Sequence, residues 1–307
     1  MNYQTIDWQS IAAHISETTG QLFQVQTQHQ VTGGCINNTC RIAGFNQNYF
    51  VKLNGSQSED MFAAEAAGLA ALGQPGVIKV PKPLCWGIAG GFAYLVMEDL
   101  ALRGESQSVS FQLGQQLAAL HQVTQPQFGW YRDNYIGATP QLNSLENDWV
   151  TFWQNHRLDF QLKLAARKGY GGKKLQRNGE RLIADVGEFF TDYQPQPSLL
   201  HGDLWAGNYA VAVETRGEQP VIYDPAVYYG DREADIAMTE LFGGFPKHFY
   251  QAYQNIKPLD AGYSTRKTLY NLYHILNHLN LFGSGYLGQA ERMIALLLGE
   301  LQLKRIL

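Results

Sequence analysis

Cysteine is scarce in this chain. Its 307 residues carry three, Cys35, Cys40 and Cys85, with no CxxC pair and no Cys/His spacing. That argues against a disulfide framework and a cysteine zinc site, and an odd thiol count fits a reducing, cytoplasmic setting. Long apolar runs are missing too. The longest candidate, MIALLLGEL near the C-terminus, falls well short of the ~18–20 residues that span a bilayer, so no membrane partner is expected. The opening MNYQTIDWQS has neither the basic nor the apolar region of a secretory leader. No block of Lys and Arg occurs and the formal net charge is −4, which argues against a nucleic-acid surface. What remains is a globular composition, 45% apolar and 16% charged, long enough for one large domain or two lobes.

Local texture changes along the chain. An Asp start, spaced apolar residues and a closing Gly20 predict a helix over 7–19. From 21 to 53, short runs of β-formers separated by TGG and GFNQN predict an antiparallel meander. The Ala-rich segment 59–72 predicts a helix, and strands follow around IKVPKPLCWGI and over 92–98. Beyond residue 102 helices dominate, at 111–123, within 148–169 and within 175–190, with 128–147 read as a loop. Short strands bracket 198–224 and the rest reads as helix. Strands plus one helix, a short connector, then helices make an α+β chain. The expected lobes are 1–97 and 103–307, joined by a hinge at 98–102.

One interruption of an apolar run carries chemistry. LLHGDLWAGNYAV places His201, Asp203 and Asn208 between two apolar stretches, as a turn between buried strands would. A second apolar stretch, PVIYDP, ends in Asp224. Carboxylate and amide oxygens from neighbouring strand ends suit Mg²⁺ with nucleotide phosphates. The spacing H-x-D-x-x-x-x-N followed by a strand-terminal Asp matches the catalytic loop and metal Asp of protein kinases. Asp203 is then the candidate base, and Asn208 and Asp224 the candidate metal ligands. DPA stands where protein kinases have DFG, so the aromatic switch of those enzymes is not expected.

A kinase arrangement calls for further parts upstream, in order. A glycine turn between strands is supplied by Gly33, Gly34, Cys35, Ile36 and Asn37, whose exposed N–H groups can meet phosphate oxygens. A strand lysine follows as Lys52, and the Ala-rich helix offers Glu65 as its partner, with Glu59 as the alternative. LVMEDLA ends a strand at Glu98, Asp99, Leu100 and Ala101, where main-chain groups can bind adenine.

With these residues in place, the chain resembles the fructosamine/ketosamine-3-kinase family, within the aminoglycoside-phosphotransferase-like branch of the protein-kinase-like fold. The resemblance runs nearly end to end, through GGCIN, FVK, FAAEAAGLAAL, LVMEDL, FGW with DNYIG, HGDLWAGN, DPAVYYGDRE and LYHILNHLNLFG. HGDLWAGN together with DPAVYYGDRE is specific to the family. It implies a bilobal fold with an antiparallel sheet and one key helix in the N-lobe and a mostly helical C-lobe. It further implies ATP and Mg²⁺ as cofactors, Asp203 as the base, Asn208 and Asp224 on the metal, Lys52 on phosphate with Glu65 orienting it, and residues 98–101 as the adenine hinge.

The acceptor implied by the resemblance is a ketosamine, phosphorylated at O3. Such an acceptor needs hydroxyl partners and an acidic or aromatic neighbour for its amine. His201, Trp205, Asp231, Arg232 and Glu233 are the candidates. Packing of Trp205 under the loop and a surface position for the charged run are the alternative readings. Asp235 reads as a brace for the catalytic loop. Asn277, His278 and Asn280 read either as helix packing or as pocket lining. Cys35, inside the phosphate turn, is a candidate redox switch. Two other functions stay open at this point, an aminoglycoside or other small-alcohol phosphotransferase and an ATP-binding pseudokinase. Whether the chain is a monomer or a dimer is open too.

Overall fold

Short β-forming runs punctuated by glycine, and one Ala-rich segment, organise the first third of the chain. The computed structural model describes residues 6–31, 36–104, 106–215 and 217–304. Gly33, Gly34 and Cys35 of the expected phosphate turn lie outside the described residues. In chain order the elements are α1 (Trp8–Thr19), β1 (Thr27–Val31), β2 (Asn38–Ala43), β3 (Asn48–Gly55), α2 (Glu59–Gly73), β4 (Pro83–Ala89), β5 (Phe92–Glu98) and β6 (Leu102–Arg103). Next come α3 (Gln107–Leu120), β7 (Asn134–Ile136), β8 (Thr139–Gln141), α4 (Trp149–Phe152), α5 (Phe160–Arg167) and α6 (Gly172–Asp185). The chain closes with β9 (Ser198–Leu200), β10 (Tyr209–Glu214), β11 (Gly217–Ile222), β12 (Tyr228–Gly230), α7 (Glu233–Leu241), α8 (Lys247–Ile256), α9 (Tyr263–Phe282) and α10 (Leu287–Lys304).

Two compact units result, 1–109 with 209–225, and 110–208 with 226–307. This division departs from the boundary drawn at 98–102. The hairpin β10–β11 belongs to the first unit because β10 pairs with β6, Val211 opposite Arg103 and Ala212 opposite Leu102. Lys79 also bridges to Val221, and Ile222 N donates to Lys79 O.

In the first unit, a five-stranded antiparallel sheet runs in the order β1-β2-β3-β5-β4. Alternation sends Ile42, Val51, Leu53 and Val96 into a core shared with Ile11 and Ile15 of α1. Asp7 caps α1, its carboxylate accepting from Ser10 N at 3.0 Å, and Gly20 ends it in the left-handed region. Lys52 lies in the middle of β3, opposite Thr39 on β2 and Leu95 on β5. Cys40 and Cys85 are buried in this core, and burial pushes their thiols up to about 12 and about 11. Neither has thiolate character.

The second unit is mostly helical. Trp149, Phe152, Trp153 and Tyr270 form a connected aromatic core. The helix expected within 148–169 is two, α4 and α5, joined by a π-helical stretch at Trp153–Asp159. The loop expected at 128–147 contains the hairpin β7–β8. Its strands of three residues are too short to declare a period. Among the described residues, no helix is long and apolar enough to cross a membrane.

Candidate active site

Within the first unit, the centre is a buried cation. Lys52 is 5% exposed, and its Nζ lies 2.5 Å from Glu65 Oε1 and 2.5 Å from Asp224 Oδ1. Burial alone would lower the ammonium pKa. The charges of Asp224 and Glu65 outweigh it, so Lys52 stays protonated well above the ordinary lysine range. Glu65 reaches it from α2, whose Ala-rich surface lets the helix sit close to the sheet, and Asp224 from just beyond β11. Asp224 has φ +56°, the only non-glycine residue with positive φ among the described residues. Such a conformation costs on the order of 1–3 kcal/mol and marks functional positions more often than ordinary turns.

Glu98 and Asp99, expected at a hinge, have their side chains held by other groups of this unit. Glu98 Oε1 is 3.4 Å from Lys79 Nζ, Glu98 Oε2 accepts from Lys82 N, and Asp99 pairs with Arg41 Nε at 2.6 Å. Leu100 is half-buried, and Ala101 O accepts from Val213 N. That carbonyl is engaged within the protein. Ile36 and Asn37, the described end of the expected phosphate turn, are tied down by Asn54, whose Nδ2 donates to Ile36 O and to Asn37 Oδ1.

Within the second unit, the turn after β9 carries His201, Gly202 and Asp203. Asp235, 1% exposed on α7, accepts His201 N at 2.7 Å and Gly202 N at 2.8 Å. Burial works against its charge, but hydrogen bonding and the neighbouring imidazoles of His121 and His201 outweigh burial and hold its pKa below the usual carboxylate range. His121 Nε2 faces its Oδ2 at 3.2 Å. Gly202 has φ +83°, and a Cβ there would lie 2.0 Å from Ala226 O, so only glycine fits. From the other side, Ala226 N donates to His201 O, while Ala226 O accepts from Gln141 Nε2. The turn is therefore clamped through its backbone at both faces.

That clamp leaves the Asp203 side chain partly exposed, at 21%. Asn208 Nδ2 donates to Asp203 O at 2.8 Å and approaches Asp203 Oδ2 at 3.4 Å. His274 on α9 brings Nδ1 to 3.9 Å from Asp203 Oδ1. It is 4% exposed, and burial pushes its pKa down to about 3, so it is neutral beside the carboxylate. Asp203 can thus accept a proton from a hydroxyl while its main chain stays fixed.

The remaining candidates are distributed differently. His201 is fully buried, and its Nδ1 accepts from Asp203 N. Asp231 and Glu233 are 1% and 0% exposed, inside a cluster with Tyr193, Tyr270 and Arg266. Arg232 donates to Tyr253 OH and to the carbonyls of Lys257 and Pro258. Trp205 is 38% exposed, its ring lying over Gly207 and edge-on to Phe242. Asn277 and Asn280 bond to Ile136 and Gln161 as helix packing, whereas His278 sits among aromatic rings. Sequence spacing did not single out His121, Gln141 or His274. DNYIG, in the expected loop, contains Asn134 of an amide pair with Gln141, and the two bond to Val227 O and Ala226 O.

Comparison with known proteins agrees with this layout. The sequence profile of the fructosamine kinase family matches residues 7–300. A "probable ketoamine kinase" of Synechocystis sp. is 50% identical over 288 residues, 94% of this chain and 95% of that protein. The chloroplastic protein-ribulosamine 3-kinase of Arabidopsis thaliana is 42% identical over 280 residues, 90% of this chain and 84% of its own. A crystal structure from Haemophilus somnus 129PT, provisionally named fructosamine-3-kinase, superposes with TM-score 0.87 at 30% identity, covering 96% of this chain and 99% of that one. The kinase-like fold alone is shared with choline kinase LicA of Streptococcus pneumoniae, at TM-score 0.63 and 15% identity over 94% and 98% of the two chains.

Proposed function

This chain belongs to the fructosamine kinase family, and we propose that it transfers the γ-phosphoryl group of ATP to the O3 hydroxyl of a ketosamine, a sugar adduct of an amine. The observation that carries the reading is Asp203, a partly exposed carboxylate on a turn whose backbone is clamped by Asp235 and Ala226. The 3-phosphate of such an adduct sheds the sugar, so the expected outcome is deglycation.

Phosphoryl transfer asks a protein for positioning and charge neutralisation rather than covalent chemistry. Asp203 accepts the O3 proton as the oxygen bonds to phosphorus and the bond to the leaving ADP oxygen breaks. The proton then passes from Asp203 to solvent. Lys52, held charged by Glu65 and Asp224, offsets phosphate charge. Asn208 and Asp224 each carry a hard oxygen donor and would hold Mg²⁺, whose charge would offset that of the phosphates. A base in this position contributes about 10²–10⁴-fold.

The test is ATP-dependent phosphate incorporation into ribulose-lysine, fructose-lysine, kanamycin and choline, with Asp203→Asn as control. Transfer to a ketosamine that is lost in the variant, with ATP binding retained, is expected. Transfer to kanamycin or choline alone would keep the kinase and discard deglycation. ATP binding without transfer to any acceptor would favour a pseudokinase.

A further inference from the structure

A chain of aromatic rings leads away from Asp203 within the second unit. Trp205, two residues after the base, contacts Phe242 with ring centroids 6.1 Å apart. Phe242 contacts His278 at 4.8 Å, and His278 contacts Phe282 at 5.3 Å and Tyr286 at 5.1 Å. Phe282 and Tyr286 close the series at 6.4 Å. The outer end is not interior packing. Phe282 is 51% exposed, and Phe242, His278 and Tyr286 are half-buried. At this end Phe282 leaves about half of its ring in water, where apolar cover from a bound molecule would be favourable.

Helix α9 turns this strip into a ruler. His274, His278 and Phe282 stand at successive i, i+4 positions on one face of α9. The near end is fixed, because His274 Nδ1 is 3.9 Å from Asp203 Oδ1. At a rise of about 1.5 Å per residue, Phe282 lies about 12 Å further along the helix. A lysine-borne ketosamine has roughly nine bonds between its reacting O3 and the lysine Cα, an extended reach of about 11 Å at ordinary bond lengths. Its amine falls near the middle of that span, level with His278. This amine is cationic at neutral pH and is favoured over aromatic faces. Burial holds His278 below its ordinary pKa, so the ring does not repel it.

We infer that Phe282 and Tyr286 are specificity residues for the amine-bearing side of the acceptor, and that the strip fits a lysine side chain still attached to its peptide. The inference rests on the ketosamine reading above. A short amine adduct ends before Phe282 and gains nothing from it, whereas a peptidyl lysine carries its β-carbon and main chain onto the two outer rings.

The experiment compares ribulose-lysine within a short peptide and ribulose-methylamine as acceptors, for the native protein, Phe282→Ala and Tyr286→Ala. The readout is the ratio of the two kcat/KM values within each protein. That ratio does not depend on the fraction folded, so loss of stability cannot mimic the effect. The ratio is expected to fall by up to about tenfold in each variant, the worth of apolar contact between the lysine's outer carbons and a ring, since the amine is common to both acceptors and cancels. An unchanged ratio, with both acceptors used by the native protein, would overturn the assignment of the rings alone. If the native protein phosphorylates neither acceptor, the ketosamine reading falls and this inference falls with it.

Discussion

Lys52 and Asp224 are separated by 172 positions in sequence and by 2.5 Å in space. The contact joins the centre of a sheet to a backbone position held at positive φ, and Glu65 completes it on the other side of the ammonium. Removing the cation leaves two carboxylates facing each other, Glu65 enclosed and Asp224 open to solvent. Lys52→Met is therefore expected to raise the KM for ATP and to lower kcat/KM by at least about 10²-fold. Steady-state kinetics over an ATP series checks this, and an unchanged KM for ATP would remove Lys52 from nucleotide binding.

Asp235 tests the clamp on the turn that carries Asp203. Its carboxylate accepts both His201 N and Gly202 N and faces His121. Asp235→Asn replaces one acceptor oxygen by a donor, which leaves an amide N–H without an acceptor, a cost of about 1–3 kcal/mol. Thermal denaturation should show the loss of stability. Turnover should fall further than the folded fraction does, because Asp203 loses its fixed main chain. A variant with native specific activity per folded molecule would show that the brace has no part in catalysis.

Gly202→Ala places a Cβ 2.0 Å from Ala226 O at φ +83°. Backbone, not a flexible side-chain tip, is in the way, so the turn must shift. The expected result is a destabilised protein with little turnover, whereas Gly285→Ala, where a Cβ meets open space, should behave like the native chain. Circular dichroism melts of the pair, with activity alongside, make the comparison. Equal melting temperatures and equal rates would contradict it.

The interior acid cluster carries a pH signature. Burial, the largest influence, pushes Glu233 up to about 7 from 4.5 despite its pairing with Arg266. Because the folded state binds this proton more tightly than the unfolded chain, the contribution to stability is present at low pH. It is lost as pH rises between about 4.5 and 7, at a slope of at most about 1.4 kcal/mol per pH unit. Glu233→Gln should flatten that part of the melting temperature against pH curve. An unaltered slope would place the titration elsewhere in the cluster, with Asp231, also raised by burial, as the next group to replace.

Much of the site was legible before any coordinates because its chemistry is local. His201, Asp203 and Asn208 lie on one turn, so their spacing states their neighbourhood. Lys52 and Glu65 follow from strand alternation and an Ala-rich helix, in which the few polar residues stand out. The two short strands of β7–β8 were not legible, since three residues cannot show a period. Nor was the break in the helix expected within 148–169, because the π-helical stretch at Trp153–Asp159 leaves the apolar pattern intact.

Asp231 and Glu233 show where local reading runs out. A charged run after a strand looks like surface, yet both side chains are enclosed by Tyr193, Tyr270 and Arg266, drawn from segments far apart in sequence. The same holds for His274, whose place beside Asp203 depends on how α9 crosses the turn after β9. Sequence by itself determined the strands of the first sheet, the helix carrying Glu65, and the order of Lys52, Asp203, Asn208 and Asp224, since each depends on neighbours along the chain. Only the tertiary structure decided which carboxylate meets Lys52, what clamps the turn, and which aromatic rings stay exposed, because burial and long-range packing set those partners.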